Sequence, residues 1–228
     1  MIRFALIVAS TLGFFLTAAL GNLMTPLLRA FHDRQQPQKE AEPPTMGGLC
    51  LMTGTMAAVG VGWTAACVAQ PELLGSENLL TTRLLIALFG ALCFGGVGLA
   101  DDLARLRHRS TLGLRRPVRL GLEAASGALV LALLGLNDCL PDGLAVPGLG
   151  YCTLGPLAPA VWLVLLVALA ESVRTADGMD GTVCGCAFVA MLGLMTAMTL
   201  LGWFPLGVLP AALAGALMAF LLWNFYPA

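Results

Sequence analysis

Charged residues are scarce in this chain, at 11% of its 228 residues. A soluble domain contains roughly a quarter charged residues, so this scarcity excludes an ordinary soluble protein. The formal net charge is only −1, and no basic stripe is interleaved with aromatic residues. These two features exclude nucleic-acid binding. Hydrophobic residues reach 58%, with a mean hydropathy of +0.87, which indicates an integral membrane protein in contact with the lipid bilayer.

Cysteine patterns that bind zinc are also lacking. Cys184 and Cys186, two of the seven cysteines, have the wrong spacing for a zinc knuckle and no second ligand pair. Most of the others lie in apolar runs, where cysteine behaves as a small hydrophobic residue. Cys139 and Cys152 fall in one predicted loop. A disulfide between them is left open, and unpaired thiols are the favoured interpretation.

Long apolar runs are what the chain has instead. About 20 apolar residues cross a bilayer as a helix, and the first run is too long for a signal peptide, whose apolar part has about 7–15 residues. We therefore predict an all-α, polytopic membrane helix bundle, with residues 1–228 as a single integral membrane domain. The predicted spans are about 4–28, 46–69, 81–100, 118–136, 157–173, 183–202 and 207–224.

The positive charges are distributed unevenly between the predicted loops. With the N-terminus outside, the loops after the first, third and fifth helices are cytoplasmic, and these regions hold ten of the twelve Lys and Arg residues. Because cytoplasmic loops are enriched in Lys and Arg, this orientation is predicted. The ten are Arg29, Arg34, Lys39, Arg105, Arg107, Arg109, Arg115, Arg116, Arg119 and Arg174.

Two adjacent carboxylates, Asp101 and Asp102, follow the third apolar run. Acids at the C-terminus of a helix oppose its macrodipole, and acids near lipid are costly, so a functional role is favoured over a helix ending. Neighbouring helical residues point about 100° apart. One carboxylate can therefore touch substrate or metal while the other orients a cation.

Other polar motifs lie on the same predicted face. Residues 176–181 read Ala-Asp-Gly-Met-Asp-Gly and open the sixth helix, whose N-terminal N–H groups suit an anion. Residues 43–48 read Pro-Pro-Thr-Met-Gly-Gly and, by themselves, resemble an ordinary helix entry. Arg119 lies inside the fourth helix, where it either faces the acids or pairs with Glu123 at i+4. Both alternatives stay open.

Together these motifs closely resemble the MraY family, the phospho-N-acetylmuramoyl-pentapeptide transferases of the polyprenyl-phosphate sugar-1-phosphate transferase superfamily. The tail, residues 220–228, is similar to the family pattern F-L-W-F-N-x-Y-P-A. The resemblance implies that about seven of the family's ten transmembrane helices are present. The chain stops before the family's F-M-G-D segment and histidine loop, so we expect a C-terminally truncated form with weak or no turnover.

The resemblance implies a reaction in peptidoglycan synthesis. Undecaprenyl phosphate attacks UDP-MurNAc-pentapeptide to give lipid I and UMP, and Mg²⁺ is required. The expected location is the bacterial inner membrane, with the active face cytoplasmic. The expected processes are cell wall biogenesis, cell shape and cell division. A homodimer is left open.

The resemblance also implies roles for individual residues. Asp101 and Asp102 would be the catalytic residues, Asp101 as the base and Asp102 as the residue that orients the metal or a cation. Both would also be metal ligands, while the family's main ligand corresponds to a position beyond Ala228. The expected substrate-binding residues are Thr45, Arg119, Asp177, Gly178, Met179, Asp180 and Asn224.

The chain departs from the family at one motif. Where the family reads N-x-x-N-x-T before Asp177, this chain has Glu171, Arg174 and Ala176. Arg174 could contact a pyrophosphate, but it cannot ligate a metal as an asparagine oxygen can. Two alternative functions therefore stay open. One is a transferase like WecA or TagO that uses UDP-GlcNAc, and the other is a non-catalytic, degenerate membrane paralogue.

Overall fold

The structure is a computed structural model that describes residues 2–35, 47–75, 79–108, 113–146, 148, 150–176 and 181–224. All seven of its α-helices are long and apolar enough, by length and composition, to cross a membrane. The predicted all-α polytopic bundle is therefore confirmed. The helices are α1 (Ile2–Gln35), α2 (Gly47–Ala69), α3 (Leu79–His108), α4 (Arg116–Leu136), α5 (Ala158–Ala176), α6 (Thr182–Leu200) and α7 (Val208–Asn224).

The connection between α4 and α5 contains a small antiparallel hairpin that the sequence patterns did not predict. Its strands are β1 (Gly143–Val146) and β2 (Gly150–Thr153), with Gly143 opposite Thr153. The indole Nε1 of Trp162 donates to the Pro141 carbonyl at 3.0 Å and ties the hairpin to α5. Cys139 and Cys152 are both free, which agrees with the favoured interpretation.

The centre of the described bundle is formed by α1, α2 and α7. In the α7 span 67% of the residues are buried, against none in the α6 span. Small residues let the three helices approach closely. A Cβ placed on Gly54 of α2 would meet Thr17 of α1, and one on Gly215 of α7 would meet the Ser10 carbonyl of α1. α3, α4 and α5 pack beside this centre and carry the charged residues described below.

The third helix is longer than predicted. It continues to His108, so Asp101 and Asp102 lie about two turns inside α3 and not at its end, as the predicted span 81–100 implied. The extension has a local cause, because Arg105 pairs with Asp101 at i+4 and the residues that follow include no glycine or proline. The prediction of the helix boundary was therefore wrong.

Candidate active site

The Asp101 carboxylate is buried where α3, α4 and α5 meet, with 3% of its side chain exposed. Its Oδ1 accepts a hydrogen bond from the Leu114 backbone N–H at 2.8 Å, just before α4. Its Oδ2 accepts from Arg105 Nη2 of the same helix at 2.9 Å and from Arg174 Nη1 of α5 at 3.0 Å. Asp101 therefore joins three segments of the chain through one carboxylate.

A second ion pair lies beside the first. Arg119 of α4 donates through Nε and Nη2 to Glu171 Oε1 of α5, at 3.1 and 2.9 Å. Glu123 is the more distant partner of Arg119, with 3.8 Å between Arg119 Nε and Glu123 Oε1. The predicted pair of Arg119 with Glu123 is thus partly realised, and an orientation towards the acids of the motifs stays a prediction. The main partner of Arg119, Glu171, was not predicted.

These charges border a cavity of about 1250 Å³ between α2, α3, α4 and α5. Most of its wall is apolar, and charged side chains line one part of it. Because the apolar residues include flexible methionines, the wall can adapt to an irregular ligand. The apolar lining includes Leu49, Met52, Met56, Leu92, Phe94 and Leu99, and the charged lining consists of Asp101, Asp102, Arg105, Glu123 and Arg174.

Glu123 differs from the other acids of the cavity. The residue is 4% exposed, and its Oε2 has no hydrogen-bond partner among the described residues. The Nε of Arg105 is likewise buried without an acceptor in the described part of the chain. Buried polar atoms are nearly always bonded. Among the described residues, one acceptor and one donor of side chains that line the cavity are therefore buried and unused.

The structure does not describe several of the predicted site residues. Thr45, Asp177, Gly178, Met179 and Asp180 fall outside the described residues. Asn224 is the last residue of α7, and its side chain is not described. Asp102 is half-buried and lines the cavity beside Asp101. The structure brings together Asp101, Asp102 and Arg119, and the catalytic and binding roles of all these residues stay predictions.

The sequence interpretation missed the partners of these residues. Glu171 and Arg174 stood out as departures from a motif, but their contacts could not be read from the chain. One signal was present, because the two are oppositely charged and three residues apart, which places them on one face of a helix. Charges on one face of an apolar helix indicate charged partners on its neighbours.

The described residues do not fit a divalent metal at Asp101. Both carboxylate oxygens already accept hydrogen bonds, and two of the three donors are cations. Among the residues that the structure describes, no group of three or more His, Cys, Asp and Glu side chains could hold a metal. Mg²⁺ favours several oxygen ligands in octahedral geometry. The described residues assemble no such set around Asp101.

The sequence matches a known family model. Residues 84–228, from α3 onwards, match the model described as glycosyl transferase family 4. The chain belongs to glycosyl transferase family 4. The cavity and the ion pairs of α3, α4 and α5 all lie within or beside this match. The acids therefore belong to the matched region of this family 4 protein, and not to an unrelated insertion.

Three curated relatives of this family 4 protein are named phospho-N-acetylmuramoyl-pentapeptide-transferase. The relative from Acaryochloris marina is 32% identical over 97% of this chain and 57% of its own length. Those from Desulforudis audaxviator and Levilactobacillus brevis are 30% and 28% identical, over 97% and 95% of this chain and 69% and 66% of their own lengths. The chain thus spans 57% to 69% of these three relatives. The resemblance inferred from the motifs is confirmed.

Proposed function

We propose that this chain carries the membrane-embedded part of a phosphosugar transferase that acts on undecaprenyl phosphate and UDP-MurNAc-pentapeptide. The observation that supports it best is the cavity between α2 and α5, in which an apolar wall adjoins a cluster of charged side chains. A polyprenyl phosphate has the same two parts. The apolar wall would hold the polyprenyl chain, since burying apolar surface is favourable, and the charged part would hold the phosphate.

In the proposed reaction an oxygen of undecaprenyl phosphate attacks the β-phosphorus of the donor. The bond from this phosphorus to the bridging oxygen of UMP breaks, so that UMP leaves and lipid I is formed. Transfer between two anionic partners depends mainly on positioning and charge stabilisation. Arg105 and Arg174 supply positive charge beside the cavity. The proposed reaction includes Mg²⁺ as a requirement, with ligands other than the Asp101 carboxylate.

The proposal places the charged end of the cavity on the cytoplasmic face of a bacterial inner membrane. The arginine and lysine bias supports this orientation. The C-terminal parts of α3 and α5 and the N-terminal part of α4 meet at this end, because Arg174 of α5 pairs with Asp101 of α3 and Glu171 of α5 pairs with Arg119 of α4. The proposed processes are peptidoglycan synthesis, cell wall biogenesis, cell shape and cell division.

A second candidate function is a non-catalytic paralogue. One observation favours it, because two guanidinium groups and a backbone N–H already occupy three of the roughly four acceptor positions of the Asp101 carboxylate. Turnover by the chain would support the transferase and contradict the non-catalytic paralogue.

An assay of the purified chain in lipid nanodiscs separates these functions. Undecaprenyl phosphate is supplied with either UDP-MurNAc-pentapeptide or UDP-GlcNAc, and released UMP and the lipid product are measured. UMP release with the first donor alone supports the proposal. Release with UDP-GlcNAc alone favours the WecA/TagO-like alternative. Absence of release with both donors, in protein that keeps its helical circular dichroism, is expected both for a non-catalytic paralogue and for a chain that carries only part of a transferase.

A further inference from the structure

The hydrogen bonds of the Asp101 carboxylate limit what else it can bind. An ionised carboxylate offers about four acceptor positions on its two oxygens. The Leu114 N–H occupies one position on Oδ1, and the guanidinium groups of Arg105 and Arg174 occupy Oδ2. The side chain is almost fully buried, so water cannot readily replace these donors. Oδ2 is therefore an oxygen that two cations already share.

Arg174 reaches Asp101 from another helix, unlike Arg105. Arg105 lies one turn away on the same helix, whereas Arg174 reaches Asp101 from α5 and is separated from it by 73 positions in sequence. In the motif that this chain resembles, the position of Arg174 is an asparagine. Asparagine is neutral, whereas arginine stays charged at every accessible pH. This position thus adds a permanent positive charge at Oδ2.

A divalent ion would compete with this charge. Mg²⁺ binds carboxylate oxygens at about 2.0–2.1 Å and needs further oxygen ligands around it. A metal ion on Oδ2 would displace at least one guanidinium and lie next to the other. Repulsion between these cations is strong where water is scarce. The Asp101 oxygen can hold the guanidinium pair or a metal ion, but not both.

We propose that Arg174 is the resident counter-cation of Asp101 and takes, at Oδ2, the place that the resemblance assigns to a divalent metal. In this role Arg174 is a positioning residue, because it acts through Asp101 and fixes the carboxylate at the edge of the cavity. The inference rests on the proposed function only for the choice of metal. Its test measures metal binding, so it can fail or succeed independently of phosphosugar transfer.

The test uses the whole chain in detergent and Mn²⁺ as a spectroscopic probe for Mg²⁺. Electron paramagnetic resonance of free Mn²⁺ gives the affinity of each variant. Wild type and D101N are expected to bind Mn²⁺ equally, because Asp101 is not a ligand. R174N is expected to gain affinity by about tenfold or more, as changes next to a metal site commonly shift affinity 10–100-fold. The double variant R174N/D101N should lose this gain.

Matched variants separate charge from packing. R174K keeps a cation at this position and should behave as wild type. R107N removes an exposed arginine from the same end of α3 and should also leave Mn²⁺ binding unchanged. If R174N does not fold, R174Q takes its place, because it is also neutral and keeps more of the side-chain volume.

Two results would overturn the inference. One is Mn²⁺ binding by wild type that is lost in D101N, since Asp101 would then be a metal ligand despite Arg174. The other is a folded R174N or R174Q that gains no affinity over wild type. Equal binding by wild type and D101N, together with a gain in R174N that depends on Asp101, supports it.

Discussion

Arg174 of α5 donates to Asp101 of α3 at 3.0 Å, so a charged departure from one family motif meets an acid of another motif by which the chain resembles the family. The other charged departure, Glu171, accepts from Arg119 of α4 in the same way. A lone charge near lipid is costly. Because Glu171 and Arg174 of α5 each pair with an opposite charge on a neighbouring helix, that cost is offset. The two departures therefore hold three helices together.

Replacing Arg174 with methionine should destabilise the protein. The change keeps an apolar stem but removes one of the two cations at Asp101, while Arg105 and the Leu114 N–H remain. We expect a loss of about 1–3 kcal/mol, the usual cost when a buried group loses a hydrogen-bond partner. Thermal unfolding in detergent, followed by circular dichroism, measures it as a lower Tm. R107M is the control, and equal melting of R174M and wild type would contradict the prediction.

The coupling of Arg119 to Glu171 should exceed its coupling to Glu123. The first pair has two hydrogen bonds of 3.1 and 2.9 Å, whereas the second is a single approach of 3.8 Å. A double-mutant cycle with R119M and E171Q should give a coupling of about 1–2 kcal/mol, within the range for residues in contact. The parallel cycle with R119M and E123Q should give less. Equal couplings would show that both acids contribute alike.

Replacing Glu123 with glutamine should stabilise the protein. Glu123 Oε2 is buried and has no partner within the described ranges, and Arg119 is already bound by Glu171. Removing a buried, poorly paired charge should raise stability by about 1 kcal/mol, because such charges are costly. Thermal unfolding of E123Q is compared with that of E171Q. E171Q should have a lower Tm than wild type, because Glu171 accepts two hydrogen bonds from Arg119. A lower Tm for E123Q would indicate that Oε2 has an important partner.

Close packing of α1 and α7 should make Gly215 sensitive to alanine. A Cβ there would collide with the Ser10 carbonyl oxygen and approach the Phe14 nitrogen to 3.1 Å. Both are backbone atoms, so G215A should cost about 1–3 kcal/mol by overpacking. At Gly60 of α2 a Cβ would meet nothing within 4 Å. G60A should therefore melt at or above the wild-type Tm, whereas G215A should melt below it. An unchanged Tm for G215A would contradict the close packing of α1 and α7.

The sequence predicted the positions of the helices better than the end of α3. Apolar runs of about 20 residues must be covered by lipid or protein with all backbone groups bonded, and only a helix does this locally. The end of α3 depends on the Asp101–Arg105 pair, whose helical spacing was visible in the sequence but whose contact was not. The short hairpin after α4 has too few residues to leave a clear alternating pattern.

The sequence by itself determined the membrane class, the seven helices and the family, because hydrophobicity, charge bias and short motifs are local properties of the chain. It also placed Asp101, Arg119 and Arg174 at one end of the bundle. Only the tertiary structure decided which of these charges pair, because Asp101 and Arg174 are 73 residues apart and meet through the packing of α3, α4 and α5. Ion pairs depend on distances of a few ångströms between helices, and no periodicity within a single helix encodes these distances.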